Sequence, residues 1–180
     1  EGDIRNADIL EKIFTENDIE AVIHFAANSL VGESVQNPLK YFDNNVGGMQ
    51  SLLKAMTKFG TDKLVFSSTA AVYGEPERIP IAETDKTLPT NPYGESKLIM
   101  EQMAKWIKNL RFVSLRYFNA AGANESGKIG EAHKCETHLI PLILQVPLGK
   151  RDAITVYGDD YDTPDGTCLR DYIHVVDLAD

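Results

Sequence analysis

Three short, nearly unbroken apolar runs constrain the fold most: Ala21-Val22-Ile23-His24-Phe25-Ala26, Lys63-Leu64-Val65-Phe66-Ser67-Ser68 and Phe112-Val113-Ser114-Leu115-Arg116-Tyr117. Runs without polar alternation are expected of strands buried on both faces, the usual state in a parallel sheet. Segments of helical period separate them. Ile9, Leu10, Ile13 and Phe14 form one stripe. Leu39, Phe42, Val46, Met49, Leu53 and Met56 form a second, opened by Pro38 and closed by Gly60. Tyr93 to about Lys108 carries a third, with Leu98, Met103 and Ile107. Strand, helix and strand at this spacing predict βαβ crossovers, hence an α/β fold with a parallel sheet and helices on both sides. Residues 27–37 and 74–92 read as loops. Residues 139–148 read as a helix bent near Pro141 or ended at Pro147, and residues 154–157 and 172–175 as short strands.

Composition narrows the function classes. Lys and Arg total 18 against 27 Asp and Glu, a formal net charge of -9. That balance argues against nucleic-acid and polybasic membrane partners, which need a positive surface. The most apolar stretch, around 139–148, holds Gln145 and two prolines and is too short to span a bilayer. Two cysteines, Cys135 and Cys168, are too few for a disulfide scaffold, so a cytoplasmic location is expected. The chain begins with Glu1 and ends on Asp177-Leu178-Ala179-Asp180, which resembles the start of a helix. It therefore reads as a fragment or as the ordered part of a longer chain.

Ligands of parallel α/β sheets sit beyond the carboxyl ends of the strands. Asn28 and Ser29, then Ser67, Ser68 and Thr69, then Asn119 occupy those places. Tyr93 and Lys97 lie four residues apart on one helix face. An ammonium beside a phenol favours the phenolate, so such a Tyr is expected to titrate below its ordinary value and to serve as a base. The competing use of Tyr93-Lys97 is a helix-start aromatic with a solvated lysine, and that of Thr69 is a cap or turn. His133, Cys135 and His138 suggest zinc ligands but lack a fourth at a familiar spacing, so this segment reads as an ordered loop and no metal site is expected. In the acidic run Asp159–Gly166, Pro164 stands where a calcium loop needs a ligand, and no closing Glu follows. None of the 13 glycines forms G-x-G-x-x-G.

Several stretches together carry a likeness. They are Gly2-Asp3-Ile4-Arg5, Val22–Ala27, Val31-Gly32-Glu33-Ser34-Val35, Asp43-Asn44-Asn45-Val46, Phe66–Gly74, Pro92-Tyr93-Gly94-Glu95-Ser96-Lys97, Arg116-Tyr117-Phe118-Asn119, Arg151-Asp152 and Asp165–His174. In this order they resemble the extended short-chain dehydrogenase/reductase family, and within it the UDP-hexose 4-epimerases. The resemblance implies a Rossmann-like doubly wound parallel sheet with part of a smaller substrate-binding region. It places a partial NAD-binding domain with the catalytic residues at 1–120. Part of the substrate-binding region follows at 121–180, returning to the first sheet near 170–180. The Gly-rich turn would lie upstream of Glu1, and a C-terminal segment would follow Asp180.

The implied activity is interconversion of UDP-galactose and UDP-glucose through a transient 4-keto sugar and NADH. Tyr93 is then the base at the sugar 4-hydroxyl, Lys97 its tuner and a ligand of the nicotinamide ribose, and Thr69 a hydroxyl on the 4-oxygen. Asp3 and Ile4 match the adenine end of NAD. Phe25, Ala26, Ala27 and Asn44 match the cofactor channel, and Phe118 the nicotinamide. Asn119, His138, Leu139, Tyr157 and Arg170 match contacts to the sugar nucleotide. A homodimer packed through the helices at 38–59 and 93–108 is implied as well. A 4,6-dehydratase of the same family needs an Asp-Glu pair after the Thr, where this chain has Ala70 and Ala71. A non-catalytic nucleotide-sugar-binding module is disfavoured by the joint presence of Thr69, Tyr93 and Lys97.

Overall fold

The three apolar runs become strands with their ends trimmed: β1 Val22–His24, β2 Lys63–Ser67 and β3 Arg111–Leu115. The computed structural model describes residues 2–180. The strands form one parallel sheet in the order β1-β2-β3, in register Val22↔Leu64↔Phe112 and His24↔Phe66↔Ser114. Strands that follow one another in chain order through right-handed crossovers put their connecting helices on the same face. Helices α1 (Ala7–Glu16), α4 (Gly48–Phe59) and α5 (Pro92–Lys105) accordingly share one core with that face. It contains Leu10, Phe14, Met49, Leu53, Met56, Leu64, Phe66, Met100 and Ala104. The opposite face, with Ile23 63% exposed and Val113 55% exposed, faces solvent. The burial expected on both faces of these strands is therefore found on one face only among the described residues.

Helix ends follow local chemistry. The Asn6 side chain accepts hydrogen bonds from the Asp8 and Ile9 amides at the start of α1, one of the commonest N-cap arrangements. Gly60 closes α4 at φ 78°, a left-handed conformation in which a side chain would be strained. Two readings are corrected here. Residues 27–37 hold a helix, α2 (Val31–Gln36), whose buried residue is Ser34. It has no apolar stripe to reveal it. The helix beginning at Pro38 is continuous but not uniform, for α3 (Pro38–Tyr41) passes through a π-helical stretch, Phe42–Gly47, into α4. The wider turn shifts the inward face. Tyr41 and Asn45 are fully buried, whereas Leu39, assigned to the apolar stripe, is 79% exposed.

The chain divides into two compact units, Glu1–Tyr117 and Phe118–Asp180. The second contains β4 (Asn119–Ala121) paired in parallel with β5 (Tyr172–His174), together with α6 (Leu139–Gln145) and α7 (Val175–Ala179). Helix α6 carries Pro141 in its first turn and stops just before Pro147, as the steric demand of proline on its predecessor requires. Residues 154–157 form no strand.

Candidate active site

Strand β2 delivers Ser67, Ser68 and Thr69 to its carboxyl end. Thr69 caps a short 3-10 turn, Ala70–Val72, its hydroxyl oxygen accepting from the Ala71 amide at 3.2 Å. Its own O–H is engaged with the Tyr93 phenol. Helix α5 starts beside this turn, with the Asn91 side chain accepting from the Gly94 amide at 2.9 Å. Gly94 is required there, since a Cβ would lie 2.7 Å from the Ala71 carbonyl oxygen. That close approach brings Tyr93 to the Thr69 turn. One helical turn on, Lys97 is 3% exposed and donates to the Ser67 carbonyl at 2.8 Å. Its Nζ lies 5.9 Å from the centre of the Tyr93 ring and 5.0 Å from that of Phe66. Thr69, Tyr93 and Lys97 are thus assembled, as their spacing predicts.

The electrostatics differ from the sequence expectation. Burial pushes the Tyr93 phenol above its ordinary value, and the Thr69 hydroxyl pulls the other way. Burial also draws Lys97 down to about 8. The ammonium is aimed at the Ser67 carbonyl, so desolvation governs the phenol and the expected downward tuning is absent. His24 lies on the same side of the sheet, stacked on Phe66 with centroids 5.7 Å apart. It is driven down to about 4 by burial and then by the charge of Lys97.

Asn45 is a site residue that the sequence reading passed over. Fully buried, it accepts from the Asn28 amide at 2.8 Å and donates to the Asn28 carbonyl at 3.1 Å and to Ser96 Oγ at 3.0 Å. Ser96 in turn donates to the Tyr93 carbonyl at 2.7 Å. One amide side chain therefore ties the loop after β1 to the helix that carries Tyr93 and Lys97. The available signal was an Asn in the middle of an otherwise apolar helix pattern, because buried amides need partners. A second network passed over joins Ser68 to Glu101 at 2.5 Å and Glu101 to Arg116 at 2.6 Å, with Arg116 also donating to the Tyr73 hydroxyl at 3.0 Å. Glu101 is 1% exposed. It holds the strand end next to Thr69 against α5.

Residues 2–4, 26–28 and 44 line an open crevice of about 520 Å³. Asp3, Ile4, Ala26, Ala27 and Asn44 from the candidate cofactor set are all in it. Phe25 is largely exposed. The Arg5 guanidinium bridges Asp3 and Asp43, and its hydrogen bonds hold the Asp3 carboxyl down at about 2.

The second unit presents the other candidates separately. Asn119 donates from its side chain to the Asp171 carbonyl at 2.8 Å, and Arg170 donates to the Leu169 carbonyl at 2.8 Å. Phe118, Leu139 and Tyr157 are exposed. The His138 imidazole is engaged by Glu131 and Glu136. Among the described residues, one group has the composition and convergence to hold a metal: Glu131, His133, Glu136 and His138, without Cys135.

Residues 1–180 match the model of the NAD dependent epimerase/dehydratase family. The chain is 59% identical to the UDP-glucose 4-epimerase of Halalkalibacterium halodurans over 99% of its own length and 54% of that protein's. Among solved structures, it is similar to the UDP-glucose 4-epimerase of Brucella ovis in complex with NAD. The TM-score is 0.95 at 53% identity, covering 99% of this chain and 56% of that one. It is also similar to the UDP-glucose 4-epimerase of Bifidobacterium longum in complex with NAD+ and UDP. There the TM-score is 0.94 at 49% identity, covering 99% of this chain and 55% of that one. The chain thus spans about half the length of the relatives it matches.

Proposed function

The chain belongs to the NAD dependent epimerase/dehydratase family, and from that premise we propose that its protein interconverts UDP-galactose and UDP-glucose by epimerisation at carbon 4. The observation that carries this reading is the grouping of half-buried Tyr93 with buried Thr69 and Lys97 at the carboxyl end of β2. The residues present fit NAD. Lys97 uses one of its three N–H donors on Ser67 and has two left for ribose hydroxyls. The crevice walls at Ala26 and Ala27 are small enough to admit a flat ring system beside Asp3 and Ile4. The chemistry NAD would supply when bound is a reversible hydride acceptor for carbon 4 and, in its oxidised form, a positive charge.

Tyr93 removes the 4-hydroxyl proton in one half of the cycle and restores it in the other. Burial favours the protonated phenol, which suits the acid half; added positive charge and the Thr69 hydroxyl favour the phenolate needed for the base half. When substrate is bound the Thr69 O–H turns from the phenol to donate to the 4-oxygen, and Lys97 orients the ribose. On this reading Phe118 faces the nicotinamide, and Asn119, His138, Leu139, Tyr157 and Arg170 bind the UDP-hexose. Arg170 is suited to the diphosphate by its fork of donors. Residues 1–120 then serve as the cofactor-binding part and 121–180 as part of the substrate-binding region.

A cytoplasmic homodimer completes the reading. Its support is two free, exposed thiols, Cys135 and Cys168, and the exposed apolar side chains Leu39 and Trp106 at helices α3 and α5. No described helix is long and apolar enough to cross a membrane. Light scattering of the full-length protein should give twice the monomer mass; a monomer mass would remove the dimer. Tyr93→Phe in the full-length protein should lower UDP-galactose turnover by about 100- to 10,000-fold with the unfolding transition retained. Unchanged turnover would overturn the mechanism.

A further inference from the structure

We propose that Glu131, His133, Glu136 and His138, all in the second unit, form a tetrahedral zinc site that orders the segment leading into α6. The sequence alone offers two imidazoles and a thiol with no fourth ligand; the fold supplies two carboxylates instead. The four ligand atoms lie within 4.8 Å of one another. Zinc bonded to nitrogen and oxygen at about 2.0–2.1 Å in a tetrahedron separates its ligands by about 3.3 Å. The nitrogen–oxygen separations fall on both sides of that edge. His133 Nδ1 is 3.0 Å from Glu131 and 3.5 Å from Glu136, and His138 Nδ1 is 3.5 Å from Glu136 and in closer contact with Glu131.

Hydrogen bonding accounts for the contact of His138 Nδ1 with Glu131 and leaves the two Glu136 contacts at 3.5 Å to a central cation. Each Nδ1 faces oxygens of two different glutamates, yet a ring nitrogen carries at most one hydrogen. Two carboxylates converge on the same point as two imidazole nitrogens, and a central divalent ion serves all four. The ligand set selects among ions. Two imidazoles with two carboxylates suit zinc, whereas calcium and magnesium take six or more oxygens.

The surroundings also suit a metal. Glu136 is anchored by the Thr137 and His138 amides, each donating to Oε1 at 2.8 Å, which fixes one ligand before any ion arrives. The imidazoles are half exposed and leave an entry path, and His138, held to the ion through Nδ1, keeps Nε2 for the sugar nucleotide. Among the described residues, Glu131–Thr137 make no backbone–backbone hydrogen bonds. Ligands within this segment and at His138, immediately before α6, would supply the cross-link that backbone pairing does not.

The test uses the full-length protein, stripped with chelator, dialysed against zinc chloride and freed of excess by gel filtration. Metal analysis should find one zinc per chain, and cobalt substitution should give the visible spectrum of a tetrahedral ion. Loss of outer partners alone weakens metal sites about 10- to 100-fold, so His133→Ala should weaken binding by at least about 100-fold. Glu131→Gln should do the same, and Cys135→Ser should leave binding unchanged. His133 is a surface residue, so its variant keeps the fold, and circular dichroism verifies that. Absence of retained zinc, affinity undiminished in His133→Ala and Glu131→Gln, or dependence on Cys135 would each overturn the proposal.

Discussion

Replacing Lys97 by Met is expected to stabilise the fold at neutral pH while abolishing turnover. Burial draws the Lys97 ammonium from 10.5 to about 8. At 1.36 kcal/mol per pH unit, keeping it charged at pH 7 costs the folded state about 3 kcal/mol. Met fills a similar volume against Phe66 but leaves the Ser67 carbonyl without its donor, a loss of about 1 kcal/mol. The variant should therefore gain about 2 kcal/mol at pH 7. The sign follows from proton counting. Between pH 8 and 10.5 the unfolded chain holds the Lys97 proton and the folded one does not, so wild-type stability rises with pH across that window. The advantage of Met shrinks over the same window. Urea denaturation of both proteins at pH 7 and pH 9.5, without added cofactor, measures the difference. A variant less stable than wild type by more than about 1 kcal/mol at pH 7, or an advantage that does not shrink with pH, would refute the reasoning.

Three other outcomes follow from the buried polar groups. Glu101→Gln leaves the mostly buried Arg116 guanidinium without its counter-charge and should destabilise by about 3 kcal/mol; the double change Glu101→Met with Arg116→Met should cost less than the two single changes together. Additive losses in that cycle, measured by urea unfolding, would show that the pair is not coupled. His24, held neutral in the fold down to about 4 against an ordinary 6.5, should cost the protein about 3 kcal/mol of stability as pH falls through that interval, because only the unfolded chain takes up the proton. His24→Phe should flatten this acid limb, and an unaltered slope would count against it. In Lys97→Met the His24 imidazole should titrate higher by NMR, since one of its two perturbing causes has gone.

Periodicity along the chain was sufficient for the α/β class, the three parallel strands, the cap at Gly60 and the pairing of Tyr93 with Lys97 on one face. These depend on backbone geometry over a few residues, and such geometry is written locally. Helix α2 and the π-helical shift before α4 were not legible, because neither is marked by an apolar stripe of regular period. Nor were Asn45, Glu101 and Arg116. A polar side chain becomes structural only when residues far along the chain bury it and supply its partners, as Asn28 and Ser96 do for Asn45. The same holds for charge. Spacing alone placed a lysine beside a tyrosine, but the depth of burial determined that desolvation, rather than their mutual attraction, sets where both titrate. The His-Glu cluster before α6 differs: all four side chains lie within eight residues of sequence, and what only the tertiary structure decided is that the two carboxylates, rather than Cys135, converge on the imidazoles.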